Sequence, residues 1–86
     1  MERIQEREIV HFRPEDVTIT GDELTLIYLG KRVLFKLSNI SPLLRKANSR
    51  QKENYRLSAN GYGIHWPEVD EDIPLVRLVK DFPEGA

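Results

Sequence analysis

From Val17 to Leu37, apolar residues recur at every second position in three short runs, interrupted at Gly21-Asp22 and at Gly30-Lys31. A period of two places successive side chains on opposite faces of an extended chain, which no helix can satisfy. Val17 and Ile19 alternate with Thr18 and Thr20. Leu24, Leu26 and Tyr28 alternate with Thr25, Ile27 and Leu29, and Val33, Phe35 and Leu37 return on one face. The pattern predicts an antiparallel meander of three strands, with Gly21-Asp22 as the first turn. Gly30-Lys31 fits a two-residue hairpin loop, with glycine at the first central position as a type II′ turn requires. Apolar residues on both faces of Leu24–Leu29 predict a covered strand and leave room for a homodimer interface.

A second pattern follows the meander. Ser41-Pro42 reads as the start of a short helix, with Ser41 as N-cap and Pro42 in the first helical position. Leu43, Leu44 and Ala47 are expected to face the core, with Arg45, Lys46, Arg50 and Lys52 toward water and fraying near Asn48-Ser49. Asn60-Gly61 is a strong hairpin signal between Tyr55–Ala59 and Tyr62–Trp66. A type I′ turn there sets Arg56 opposite His65, Leu57 opposite Ile64 and Tyr55 opposite Trp66. Tyr55, Leu57, Ala59, Tyr62, Ile64 and Trp66 then share the core face, and His65 takes the other. Pro67 ends the strand. Glu68 to Asp72 reads as an acidic connection that leads, with Asp70 or Asp72 as cap, into a last helix, Leu75–Lys80, with Pro74 in its first turn. The fold class expected is therefore α+β: a three-stranded antiparallel meander, a short helix, a second hairpin and a C-terminal helix packed on the sheet.

Eighty-six residues make one domain, 1–86, with a core over about 15–82. Arg3–Glu8 has helical composition, Ile9–Phe12 fits a short strand, Pro14-Glu15-Asp16 marks a break, and 83–86 are expected to fray. The chain has no cysteine, which excludes disulfides, thiolate metal sites and cysteine nucleophiles. Its charged N-terminus lacks the apolar stretch of a signal peptide, and no apolar run approaches the roughly 20 residues of a membrane helix. The expectation is a soluble cytoplasmic protein that engages no membrane and needs no cofactor.

Three segments carry a resemblance: Ser41-Pro-Leu-Leu44, Tyr55-Arg-Leu57, and the run GIHWPEVDEDI from Gly63 to Ile73 ahead of a short apolar helix. Over about residues 15–80 the chain resembles the small bacterial family catalogued as domain of unknown function 2442. The resemblance implies a compact α+β domain of the bacterial cytoplasm, with no established activity or catalytic residues. Members of that family are sometimes fused to a helix-turn-helix domain, which this chain, ending at Ala86, is expected to lack. They are also often encoded beside another small family, an arrangement that suggests a toxin–antitoxin-like pair. Pro74 departs from the family pattern, in which a small polar cap such as serine is commoner.

Net charge is −1, but residues 31–56 carry eight basic groups and one acid, while six acids and two basic groups follow. Four of those acids, Glu68, Asp70, Glu71 and Asp72, fall within five residues. Helix capping uses one or two of them; the surplus, with His65 beside it, points to a surface for a basic protein partner, which the gene pairing implied by the resemblance would place in an adjacent gene. A different expectation attaches to the basic stretch, where Arg45, Lys46, Arg50, Lys52 and Arg56 would contact phosphates in a nucleic-acid-binding regulator. No groove-reading motif accompanies them, which favours the protein partner. A third assigns His65 as a general base oriented by Asp70 or Asp72, or as a weak metal site with them. No nucleophile motif supports catalysis, so the chain is expected not to be an enzyme.

Overall fold

The computed structural model describes residues 12–58 and 61–86; the expected N-terminal helix, the expected strand at Ile9–Phe12 except for Phe12, and the tip residues 59 and 60 of the second hairpin lie outside them. The first meander forms where the alternation places it. Strands β1 (Val17–Thr20), β2 (Glu23–Tyr28) and β3 (Lys31–Lys36) pair antiparallel in the order β1-β2-β3. Val17 lies across from Leu26, and Leu24 across from Phe35, so one face buries Val17, Ile19, Leu24, Leu26, Val33 and Phe35 together. Thr18, Thr25, Ile27 and Leu34 take the opposite face by alternation.

The loop between β2 and β3 sits one residue earlier than expected. Tyr28 pairs with Lys31, leaving Leu29-Gly30 as the loop with φ of 53° and 79°. Two positive φ values define a type I′ turn, whose twist matches that of the flanking strands. Tyr28 is thereby kept on the inner face, where its ring stacks on Phe12 with centroids 5.9 Å apart.

Leu37, expected as a strand residue, instead opens helix α1 (Leu37–Ile40). The cap is supplied from a distance. The Leu37 N–H donates to the Asp22 carbonyl at 2.7 Å, and the Ser38 amide and hydroxyl donate to the Asp22 carboxylate at 3.0 and 2.6 Å. The helix expected after Ser41 is two helices, α2 (Pro42–Lys46) and α3 (Ser49–Glu53). Ser41 caps α2 as predicted, its hydroxyl accepting from the Leu44 N–H at 3.1 Å. Where fraying was expected, Asn48 starts α3 in a reciprocal capping box with Gln51 at 2.8 and 3.0 Å. Because the chain turns at Ala47, the core takes Leu44 and Ala47 but leaves Leu43 exposed.

The second sheet has three strands, in the order β4-β5-β6: β4 (Arg56–Leu57), β5 (Gly63–Trp66) and β6 (Glu71–Pro74). The predicted register holds, with Arg56 across from His65 and Leu57 from Ile64, but the ladder does not extend to Tyr55. Tyr62 leaves the core face and is exposed, because its carbonyl is turned to accept the Leu75 N–H at 3.0 Å. Gly61 has φ of 62°, and a Cβ there would fall 1.8 Å from the Phe12 carbonyl, so only glycine lets the chain entering at Phe12 lie against this turn.

Glu71 to Pro74, expected as a helix entrance, forms the third strand. Neither Asp70 nor Asp72 caps helix α4 (Leu75–Asp81); Pro74 occupies the cap position with no side-chain bond. Leu75, Leu78 and Val79 of α4 join Trp66 and Ile64 in the core. At the chain end, the Ala86 N–H donates to the Leu34 carbonyl at 3.2 Å and the Ala86 carbonyl accepts from the Lys36 N–H at 2.6 Å, along the open edge of β3.

Candidate functional site

The four clustered acids lie on the β5–β6 hairpin, at its four-residue tip Pro67–Asp70 and on β6. The structure uses most of them internally. Glu68 accepts from the Asn54 side-chain amide at 2.8 Å and lies 3.6 Å from the Arg50 guanidinium. Glu71 turns inward, one oxygen accepting from the buried Ser41 hydroxyl at 2.5 Å and the other from the Asp72 N–H at 3.0 Å. Asp72, 73% exposed, holds His65 Nδ1 at 2.9 Å. Asp70, exposed with φ of 56°, has no hydrogen-bond or ion-pair partner among the described residues. An aspartate tolerates this left-handed position better than most residues.

Of the two carboxylates considered for His65, Asp72 makes the bond. Cross-strand register places it there, since His65 and Asp72 are paired on β5 and β6. Among the described residues no group bonds His65 Nε2, and no three side chains of histidine, aspartate or glutamate are grouped to hold a metal. Beside the pair, on the solvent side of Gly63, lies a shallow depression of about 180 Å³ bordered by Ser58, Tyr62, Asp72 and Pro74.

Asp72 and Pro74 turn their backbone groups away from β5, because the Leu75 N–H already bonds Tyr62. The Asp72 N–H is taken by Glu71, and Pro74 has none. The outer edge of β6 therefore offers no free N–H to another strand, one of the ways natural sheets protect an edge.

Three of the five basic residues are engaged by the fold itself. Lys52 does not face water; its side chain is 12% exposed and its ammonium lies 2.9 Å from the Asp22 carboxylate. Arg45 Nε donates to the Ser38 carbonyl at 3.1 Å, and Arg50 lies beside Glu68. Lys46 and Arg56 are exposed and lack a polar partner among the described residues. The Lys52 carbonyl accepts the indole N–H of Trp66 at 2.9 Å, and the indole itself is fully buried. Asp22, Lys52 and Trp66 thus join the two sheets through α3. Sequence reasoning missed this connection because its members stand 14 and 30 residues apart and leave no local signal.

Burial works against the charge on Asp22, but hydrogen bonds from the Ser38 hydroxyl, Lys52 and the Ser38 amide outweigh it and hold the carboxyl below the usual carboxylate range. At the other end of β1, the backbone N–H of Arg13 lowers Asp16 in the same direction.

Two three-stranded antiparallel meanders, joined by three short helices and closed by a fourth, define a small α+β domain. The family described as "Protein of unknown function (DUF2442)" matches residues 14–84, and the chain belongs to it. No curated protein and no solved structure matches the chain. Among the described residues no helix is long and apolar enough to cross a membrane.

Proposed function

We propose that the domain is a small protein-interaction module, regulatory and without catalytic activity of its own, that engages a basic partner through the β5–β6 hairpin. The observation that carries this reading is the exposure of Glu68, Asp70 and Asp72 at one end of the second sheet, where among the described residues Arg50 pairs with Glu68 and His65 with Asp72. A cluster of one sign on a fixed hairpin steers an oppositely charged partner and fixes its orientation more than it adds raw affinity. The gene pairing that goes with the family resemblance supports a partner encoded next door in a bacterial cytoplasm, with this chain as the antitoxin-like member.

The test is co-purification with the adjacent gene product, followed by titration of a Glu68→Gln, Asp70→Asn, Asp72→Asn variant. Glu71 is left intact because its carboxylate bonds Ser41. Binding at least about tenfold weaker, with a shallower salt dependence, is expected; unchanged affinity overturns the reading.

A second reading, a nucleic-acid-binding regulator, rests on the exposed Lys46 and Arg56. It requires binding to random-sequence DNA or RNA at low salt that falls steeply as salt rises. Absence of any signal at low salt removes it.

A further inference from the structure

We propose that the outer face of the first sheet is a self-association surface for a second copy of this chain, packed face to face about a twofold axis parallel to the strands. This does not rest on the acidic hairpin, which belongs to the other sheet.

The face is laid out in rows. Thr18 lies across from Thr25, and Thr25 across from Leu34; in the next row Ile27 lies across from Arg32. Leu34 is 52% exposed. Glu15 and Asp16, which lead into β1, border the same shallow concavity of about 430 Å³ as Ile27, Arg32 and Leu34. The β3 side of the face carries Arg32 and Lys36, with Glu84 beside Leu34 and Lys36 at its edge, and the β1 side carries Glu15 and Asp16 with Arg13 beside them, so β3 is net basic and β1 net acidic, with aliphatic and threonine side chains between. Among the described residues no carboxylate pairs with Arg32. Asp16 already accepts from the Arg13 N–H at 3.0 Å and lies 3.5 Å from the Arg13 Nε; Glu15, whose one partner among the described residues is Arg13 at 3.6 Å with both side chains largely exposed, is the freer carboxylate, because such an exposed pair contributes little.

The two sides suit each other under one symmetry. A twofold axis along β2 carries β1 of one copy over β3 of the other and leaves β2 over β2. Ile27 then meets Ile27, Leu34 meets Thr18, and Arg32 of each copy meets Glu15 and Asp16 of the other, twice over. An axis across the strands would instead lay β3 over β3 and β1 over β1, basic edge on basic edge and acidic on acidic. The charge pattern selects the first arrangement, which is the aligned packing of a β-sandwich. Glu23, at the far end of the face, pairs in register with Lys36 and falls at the rim. Three strands roughly 4.8 Å apart make a narrow contact, at the small end of specific interfaces, so association is weak, with a dissociation constant on the order of 10–100 µM.

Sedimentation velocity from about 10 µM to about 1 mM tests this, a range that brackets such a constant. The wild type should pass from monomer to dimer. Arg32→Glu and Glu15→Arg, each at an exposed position, should be monomeric at every concentration with unchanged circular dichroism. Mixed one to one, they should form a heterodimer, because both cross-copy contacts become attractive again. Ile27→Asp should abolish association. A wild type that stays monomeric, whether its face is bare or covered by another segment or protein, overturns the proposal. So does an Arg32→Glu variant that still dimerises, or a mixture that does not.

Discussion

Leu29 occupies the left-handed region at φ 53° and is 81% exposed. An L-residue held there costs about 1–2 kcal/mol, and a solvent-facing leucine recovers little of it by burial. Asparagine tolerates the conformation, and Asn-Gly is the favoured pair for a type I′ turn. Leu29→Asn is therefore expected to stabilise the domain by about 1 kcal/mol, which raises Tm by about 4–8 °C for a chain of this size. Leu29 also stands at the end of the proposed self-association face, so thermal unfolding should be measured in dilute solution, where the monomer's stability is read alone. An unchanged or lower Tm would mean that the leucine makes contacts outweighing its backbone strain.

At the scale of elements, the Gly21-Asp22 turn does more than reverse the chain between β1 and β2. Asp22 caps α1 through Ser38 and holds Lys52 of α3, while the Gly21 N–H donates to Glu53 at 2.6 Å. Two helices distant in sequence thus converge on one turn, and both reach its carboxylate. Because the folded state lowers the Asp22 pKa, its ionised form contributes stability that is fully present above the ordinary carboxylate pKa of about 3.9. That contribution is lost as pH falls through the lower folded value. Stability is expected to drop below about pH 4, and Asp22→Asn should be less stable at pH 7 with a shallower acid dependence. Some slope remains, since Asp16 shifts in the same direction. Denaturant midpoints between about pH 2 and 7 check this; an identical slope in the variant would show that Asp22 is not a principal acid-sensitive contact.

For the molecule as a whole, what could be read ahead was what neighbours in sequence decide. The alternation from Val17 to Lys36 requires strands, Ser41-Pro42 requires a helix start, and Arg56 to His65 pair in the expected register. The tail of the opening meander and the third strand of the second sheet were not readable in this way. Leu37 continues the strand period but is drawn into α1 by a cap 16 residues away. Glu71-Asp72-Ile73-Pro74 carries a single aliphatic side chain and a proline, so nothing local marks it as β6; only pairing with Gly63–Trp66 makes it one. The candidate site shows the same division. The sequence exposed the carboxylate cluster and the place of His65 opposite Arg56. The inward turn of Glu71 toward Ser41, and the loss of Lys52 from the surface to Asp22, depend on how the two sheets are brought together.

The convergence on Gly21-Asp22 also orders events in time. A hairpin such as β1–β2 closes in about 1–10 µs. The bonds from that turn to α1 and α3 span 16 and 32 residues, and closing such loops adds an entropic delay. Asp22→Ala should therefore accelerate unfolding while leaving the folding rate nearly unchanged, as expected of contacts made after the barrier. A chevron whose folding arm falls instead would place the docking of α1 and α3 before the barrier, with the first hairpin as their template.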